Sequence, residues 1–219
     1  MQAKRYKCLF VAHPLMSSDR EQILSRVQGA LAPLPQRAAL PDWTTELVVM
    51  RQARGQVDAW TLFAERLRGV NGTPLTGAAA LVELLEQNNW RHGYCDPALW
   101  PQLAPAFPAT IKVETEFDRA RVDDYQFGIT RASGAIAETG TVVLTEAATS
   151  RRLAALAPWV HIAVLARDQI FIDVPQAVAA LPLDANVIWC TGPSKTADVE
   201  GILIEGVHGP GIQVALLMD

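Results

Sequence analysis

Three separated stretches of this 219-residue chain carry residue types that core packing alone does not select. The most informative is Thr191-Gly192-Pro193-Ser194-Lys195-Thr196-Ala197-Asp198-Val199-Glu200. The apolar run Asn186 to Cys190 before it reads as a buried strand, and Val199, Ile202 and Leu203 after it have the spacing of an amphipathic helix. A small polar turn between strand and helix leaves backbone N–H groups unpaired at the helix start. With Lys195 beside them, such a turn suits a carboxylate or phosphate. Thr196 would be the N-cap, and Asp198 would lie in the first turn against the positive end of the helix dipole. Capping and dipole effects of this kind stabilise by about 1 to 2 kcal/mol, enough to account for Thr196 and Asp198 without function. Gly192, Ser194 and Lys195 stay open between a binding loop and a plain turn. The stretch is not a P-loop, which needs glycine immediately before the lysine, where this chain has Ser194.

The second stretch is Ala135 to Leu144, with Glu138, Thr139 and Gly140 ahead of an apolar run. A carboxylate followed by a glycine turn and a strand can face a cleft at a sheet edge, where Glu138 could be a nucleophile, a base or an acceptor. Taken alone, the motif favours the plainer alternative, a turn acid that caps nearby N–H groups. Arg131, just upstream, adds a cation that could pair with Glu138 or with a ligand. The third stretch is Gly206-Val207-His208-Gly209-Pro210-Gly211. Gly206 suits a left-handed helix terminus and Gly209 to Gly211 a tight turn. His208 is open between acid–base group, ligand contact and turn residue. This is not a dinucleotide fingerprint, because GxGxxG must lie between a strand and a helix, whereas this segment is expected to run from helix to strand.

The elements that must position these residues change in texture along the chain. Residues 17–31 read as a helix with Ser17 or Ser18 as N-cap and Ile23, Val27 and Ala30 on one face. A second helix is expected over 57–67, with Trp60, Phe63, Ala64 and Leu67 recurring at helical spacing, and a third over 78–87. All three read as packing elements. After about Arg91, short strand-like runs at 110–113, 141–144, 161–165, 186–190 and 212–217 give the alternation of an α/β layer architecture. Several of these runs are apolar on both faces, which implies helices on both sides of a mainly parallel sheet. Residues 170–173, close behind 161–165, could form a hairpin and make the sheet mixed.

Composition bounds the rest. Half the residues are hydrophobic, so a full core is expected, and the net charge of −4 argues against a general nucleic-acid binder. No window approaches the roughly 18 to 20 continuous apolar residues of a membrane span. The N-terminal apolar run is short for a secretory signal, so the chain reads as cytoplasmic. Cys8, Cys95 and Cys190 are three scattered thiols without a CxxC pair, which supports neither a disulfide framework nor a four-thiolate cluster. Cys190 reads as a small buried apolar residue. His13, His92, His161 and His208 are equally scattered.

Taken in order, AIAETGTVVL, then Arg152 and HIAVLA, then TGPSKTADVEGILIEGVHGPG resemble the LutC-like branch of the LUD-domain family of lactate-utilisation proteins. The resemblance covers about the last 95 residues and rests on three separated motifs. It implies a layered α/β fold related to the NagB/RpiA/CoA-transferase group. On that basis residues 91–219 form the family core, and residues 1–90 form a helical segment packed on it. It also implies a part in oxidising L-lactate to pyruvate beside a LutB-like iron-sulfur protein and other lactate-utilisation subunits, with the clusters in the partner and no cofactor in this chain. In the wider fold group, anionic substrates occupy clefts at strand ends. The expected cleft is therefore lined by Glu138, Thr139, Gly140, Gly192, Ser194, Lys195, Thr196, Asp198 and His208. Lys195 and the Ser194 to Thr196 N–H groups would hold a carboxylate or phosphate, and Glu138 or His208 would accept a proton. A non-catalytic docking subunit and a CoA-transferase or ligase using Glu138 are the alternatives. Fold alone does not transfer activity.

Overall fold

The computed structural model describes residues 18–33, 58–145, 152–181, 186–197 and 202–218. Contacts divide the chain after Ala53, into 1–53 and 54–219. In the first unit, helix α1 (Asp19–Leu31) begins with a capping box: Ser18 Oγ accepts from the Glu21 N–H, and Glu21 Oε2 accepts from the Ser18 N–H. The expected helix and cap are present. Its expected packing role is not, since Ile23 and Val27 are exposed and no residue of α1 is buried.

The second unit is built on a six-stranded sheet. Its strands are β1 (Thr73–Thr76), β2 (His92–Cys95), β3 (Lys112–Glu114), β4 (Phe127–Arg131), β7 (Val160–Leu165) and β12 (Ile212–Leu217), in the order β1-β12-β7-β4-β2-β3. Every neighbouring pair is parallel. All six residues of β7 are buried, as are five of the six in β12, which is why these strands read as continuous apolar runs. On one face Ile129, Ile162, Val164 and Leu216 pack with Leu81 and Leu85 of α3 (Ala78–Gln87) and Leu103 of α4 (Trp100–Leu103). On the other face Ala163, Leu165, Ala215 and Leu217 meet Phe63 and Leu67 of α2 (Ala59–Gly69), Ala155 of α5 (Arg152–Leu156) and a second sheet.

That second sheet has the order β8-β5-β6-β9, from β5 (Gly134–Ile136), β6 (Thr141–Thr145), β8 (Ile170–Phe171) and β9 (Val187–Cys190). It is mixed, with β5–β6 and β6–β9 antiparallel and β5–β8 parallel. Its outer residues Ile136 and Val143 pack with Ala177 of α6 (Val174–Ala180). The result is the expected α/β architecture with a mainly parallel sheet. The hairpin expected between 161–165 and 170–173 does not form. A 3-10 turn at Arg167–Gln169 follows β7, and β8 pairs with β5 in the other sheet.

A second departure concerns the first motif. Its tail is a strand, not a helix: β10 (Lys195–Ala197) pairs antiparallel with β11 (Leu203–Glu205). The apolar spacing of Ile202 and Leu203 suggested a buried helical stripe, but both side chains are exposed, Leu203 in this two-stranded ribbon and Ile202 just before it. Thr196 is therefore a strand residue and not an N-cap, and Gly206 (φ 81°) ends a strand rather than a helix. Asp198, with Val199 and Glu200, lies outside the described residues.

Candidate binding cavity

The first and third motifs close on each other. The Ser194 N–H donates to the Pro210 carbonyl at 2.9 Å, and the Gly206 N–H donates to the Ser194 carbonyl at 2.9 Å. Between this latch, the end of β9 and the end of α5 lies a cavity of ≈ 390 Å³, within the range of small-molecule sites. Thr191, Gly192, Ser194, Lys195 and His208 all line it, with Trp189, Leu156 and Pro210 as apolar wall and Gln213 of β12 behind them. His208 is exposed at its edge. Among the described residues the lining holds one lysine and no carboxylate.

The hydrogen bonds reassign several expected roles. The Ser194 N–H is occupied by Pro210 and cannot hold an anion. Thr196 is not among the lining residues. Lys195 Nζ donates to the Val70 carbonyl at 3.0 Å and lies 3.4 Å from Glu205 Oε1. Val70 is the C-cap of α2, so the ammonium sits at the negative end of a helix instead of beside a positive one. Glu205 also accepts from Asn71 Nδ2 at 2.8 Å, and the two contacts, Asn71 first, hold its carboxyl below the usual range.

The second motif stands next to the cavity rather than in its wall. Glu138 Oε1 accepts from the Val174 N–H at 2.8 Å, the first residue of α6, and the Glu138 N–H donates to the Ile172 carbonyl at 3.0 Å. The reading of Glu138 as a capping turn acid is the one this geometry displays. Thr139, Thr141 and Thr191 form a hydroxyl chain, at 2.7 and 2.8 Å, that ties the motif to the binding loop. Gly140 has φ 66°, and a Cβ there would lie against the Arg66–Leu67 backbone of α2. Arg131 Nε donates to Asp96 Oδ2 at 2.8 Å, and the other oxygen of that buried carboxylate accepts from the Ala98 N–H at 2.8 Å.

Sequence reasoning missed Gln213 and passed over His161 and Thr130. Their side chains form a buried run across the middle of the parallel sheet: Thr130 Oγ1 to His161 Nε2 at 2.9 Å, and His161 Nδ1 to Gln213 Oε1 at 3.0 Å. Burial pushes the His161 pKa down to about 4, against a smaller opposing effect of the Gln213 hydrogen bond, so the ring is neutral. The available signal was a lone polar residue within each of the apolar runs VHIAVL and IQVALL. Burial raises the Cys190 thiol to about 11 and the Cys95 thiol, aided by the Asp96 charge, to about 12, so neither is a thiolate near neutrality. Cys190 is half-buried rather than fully buried, in a strand whose Val187 and Trp189 are exposed, a departure from the buried strand expected over 186–190; Cys8 and His13 lie outside the described residues. Among the described residues no cluster of three His, Cys, Asp or Glu could hold a metal ion, and no helix is long and apolar enough to cross a membrane.

The LUD domain family model matches residues 12–218. The chain is similar to Lactate utilization protein C of Deinococcus radiodurans, 35% identical over 105 residues that cover 46% of this chain and 50% of the relative. It is also similar to Lactate utilization protein C of Bacillus subtilis, 32% identical over 98 residues, 41% of each chain. The matched region spans about half the length of these curated relatives or less. An uncharacterized protein of Neisseria meningitidis serogroup B is 26% identical over 92% of this chain and 95% of its own. Among solved structures, a DUF162 family protein from Deinococcus radiodurans superposes with a TM-score of 0.52 at 26% identity, covering 73% of this chain and 96% of that one.

Proposed function

The chain belongs to the LUD domain family, and we propose that it is the LutC-like component of a lactate-utilisation system, binding a small carboxylate in the cavity between the first and third motifs. The composition of the cavity carries this reading. Among the described residues its charged lining side chain is Lys195, beside the hydroxyls of Thr191 and Ser194, the amide of Gln213 and the imidazole of His208. Among the described residues, Val70 and Glu205 engage two of the three Lys195 donors, which leaves a third for a ligand oxygen. The names of the curated relatives point to lactate as the source of that carboxylate.

The electron-transfer part of L-lactate oxidation to pyruvate is assigned to a partner. The resemblance to lactate-utilisation proteins places iron-sulfur centres in a LutB-like subunit, and the three scattered cysteines of this sequence agree with that division of labour. The surface beside the cavity favours docking of such a subunit. Trp189 of the cavity wall is 42% exposed, and Leu203 and Ile204 of the β11 strand, which pairs with the Lys195 strand, are exposed as well. An acyl-transfer role for Glu138 has no comparable support, because its carboxylate serves the start of α6.

The purified chain, given L-lactate and an artificial electron acceptor, is expected to show no turnover alone and to support turnover once the cysteine-rich partner is added. Turnover by the partner that is indifferent to this chain would overturn the proposal. Turnover by this chain alone would overturn the division of labour.

A further inference from the structure

The cavity wall contains an amide whose hydrogen bonds fix one another. Gln213 is 2% exposed, lies opposite His161 in the β12–β7 register, and reaches the cavity beside Ser194 and His208. Its Nε2 donates to the Val214 carbonyl at 3.2 Å, and its Oε1 lies 3.0 Å from His161 Nδ1. A carbonyl only accepts, so the NH2 group must face Val214, and the amide oxygen must then face the imidazole. That oxygen requires a hydrogen on Nδ1. The unprotonated Nε2 accepts in turn from Thr130 Oγ1 at 2.9 Å. The run from Thr130 through His161 and Gln213 to Val214 therefore has a single direction, within side chains that are all buried.

The Gln213 amide retains one more N–H, which has no partner among the described residues. Buried donors in folded proteins find acceptors, and here the side chain borders the cavity, so the acceptor belongs to what the cavity holds. We propose that Gln213 reads the ligand by donating this N–H to a carboxylate oxygen, while His161 and Thr130 are positioning residues that keep the amide turned that way. The inference rests on the reading that the cavity takes a small carboxylate. The charge of the lining agrees with it, since Lys195 is present and, among the described residues, no acidic side chain lines the cavity to compete for the donor. A water molecule could satisfy the same N–H, but it would leave the protein without a preference for carboxylates over neutral analogues.

Calorimetry on the full chain with L-lactate, pyruvate and their neutral amides tests this directly. The wild type should bind the acids more tightly than the amides. Gln213→Leu removes a hydrogen bond to a charged group and should raise Kd for the acids about tenfold to a hundredfold. Acid binding that Gln213→Leu leaves unchanged would overturn this inference alone, whereas a wild type that binds neither acid would overturn the cavity reading with it. The tautomer gives a check that needs no variant. Nitrogen-15 NMR should show His161 protonated at Nδ1, and protonation at Nε2 would sink the positioning argument. Thr130→Val should disturb that signature and weaken acid binding, a result that a merely space-filling threonine would not give.

Discussion

The Lys195 ammonium has three N–H groups; one meets the Val70 carbonyl at the C-terminal end of α2, and a second faces Glu205. A cation there opposes the negative end of the helix dipole, a partly buried contact that stabilises by about 1 kcal/mol. Glu138 does the reverse, placing a carboxylate on the first N–H of α6. Both residues were legible in the sequence as charged groups in unusual turns, and neither helix end was, because Val70 and Val174 are distant in sequence. Lys195→Ala is expected to lower the melting temperature by about 2 to 4 °C through the lost helix-end contact. It should also weaken carboxylate binding through the third donor. A calorimetric scan paired with a binding titration separates the two effects: an unchanged melting temperature would remove the α2 contact from the account, and an unchanged affinity would remove Lys195 from the ligand.

At the scale of elements, α2 is the post on which two motif turns rest. Gly140 and Gly192 both have positive φ, and both bring backbone against its last turn. A Cβ at Gly192 would lie against the Val70 carbonyl, which is backbone and cannot swing aside. Gly77, with φ 78° and open space around it, provides the control. Gly192→Ala should therefore destabilise by clearly more than the roughly 1 to 3 kcal/mol of positive-φ strain expected for Gly77→Ala, as measured by urea unfolding. Equal losses would mean that the approach to α2 is looser than the geometry states. The periodic segments α2 and α3, and the doubly buried strands β7 and β12, could be read from sequence because burial on a fixed face leaves a repeat. The ribbon β10–β11 could not. Its apolar residues are exposed, so their spacing reported a surface and was mistaken for a helical core stripe.

For the whole folded unit, the buried run through β4, β7 and β12 ties stability to pH. His161 is completely inaccessible, its near neighbours Thr130 and Gln213 carry no charge, and its pKa of about 4 lies well below the ordinary 6.5. Between those two values the unfolded chain takes up a proton that the folded chain refuses. Stability from this group is therefore full above pH 6.5 and is lost as pH falls toward 4, at up to roughly 1.4 kcal/mol per pH unit and roughly 3 kcal/mol in all. The loss begins above the carboxylate range, which distinguishes it from Glu114, whose ion pair with Lys112 and hydrogen bonds from His92, Tyr125 and Arg121 hold its pKa near about 2 and release stability only below about 4.5. Urea unfolding at pH 7 and pH 5 should show the wild type weakening across that interval, and His161→Asn should flatten the difference even though it lowers stability at both. A slope that survives the substitution would place the proton elsewhere and leave the central histidine without influence on the unit's response to acid.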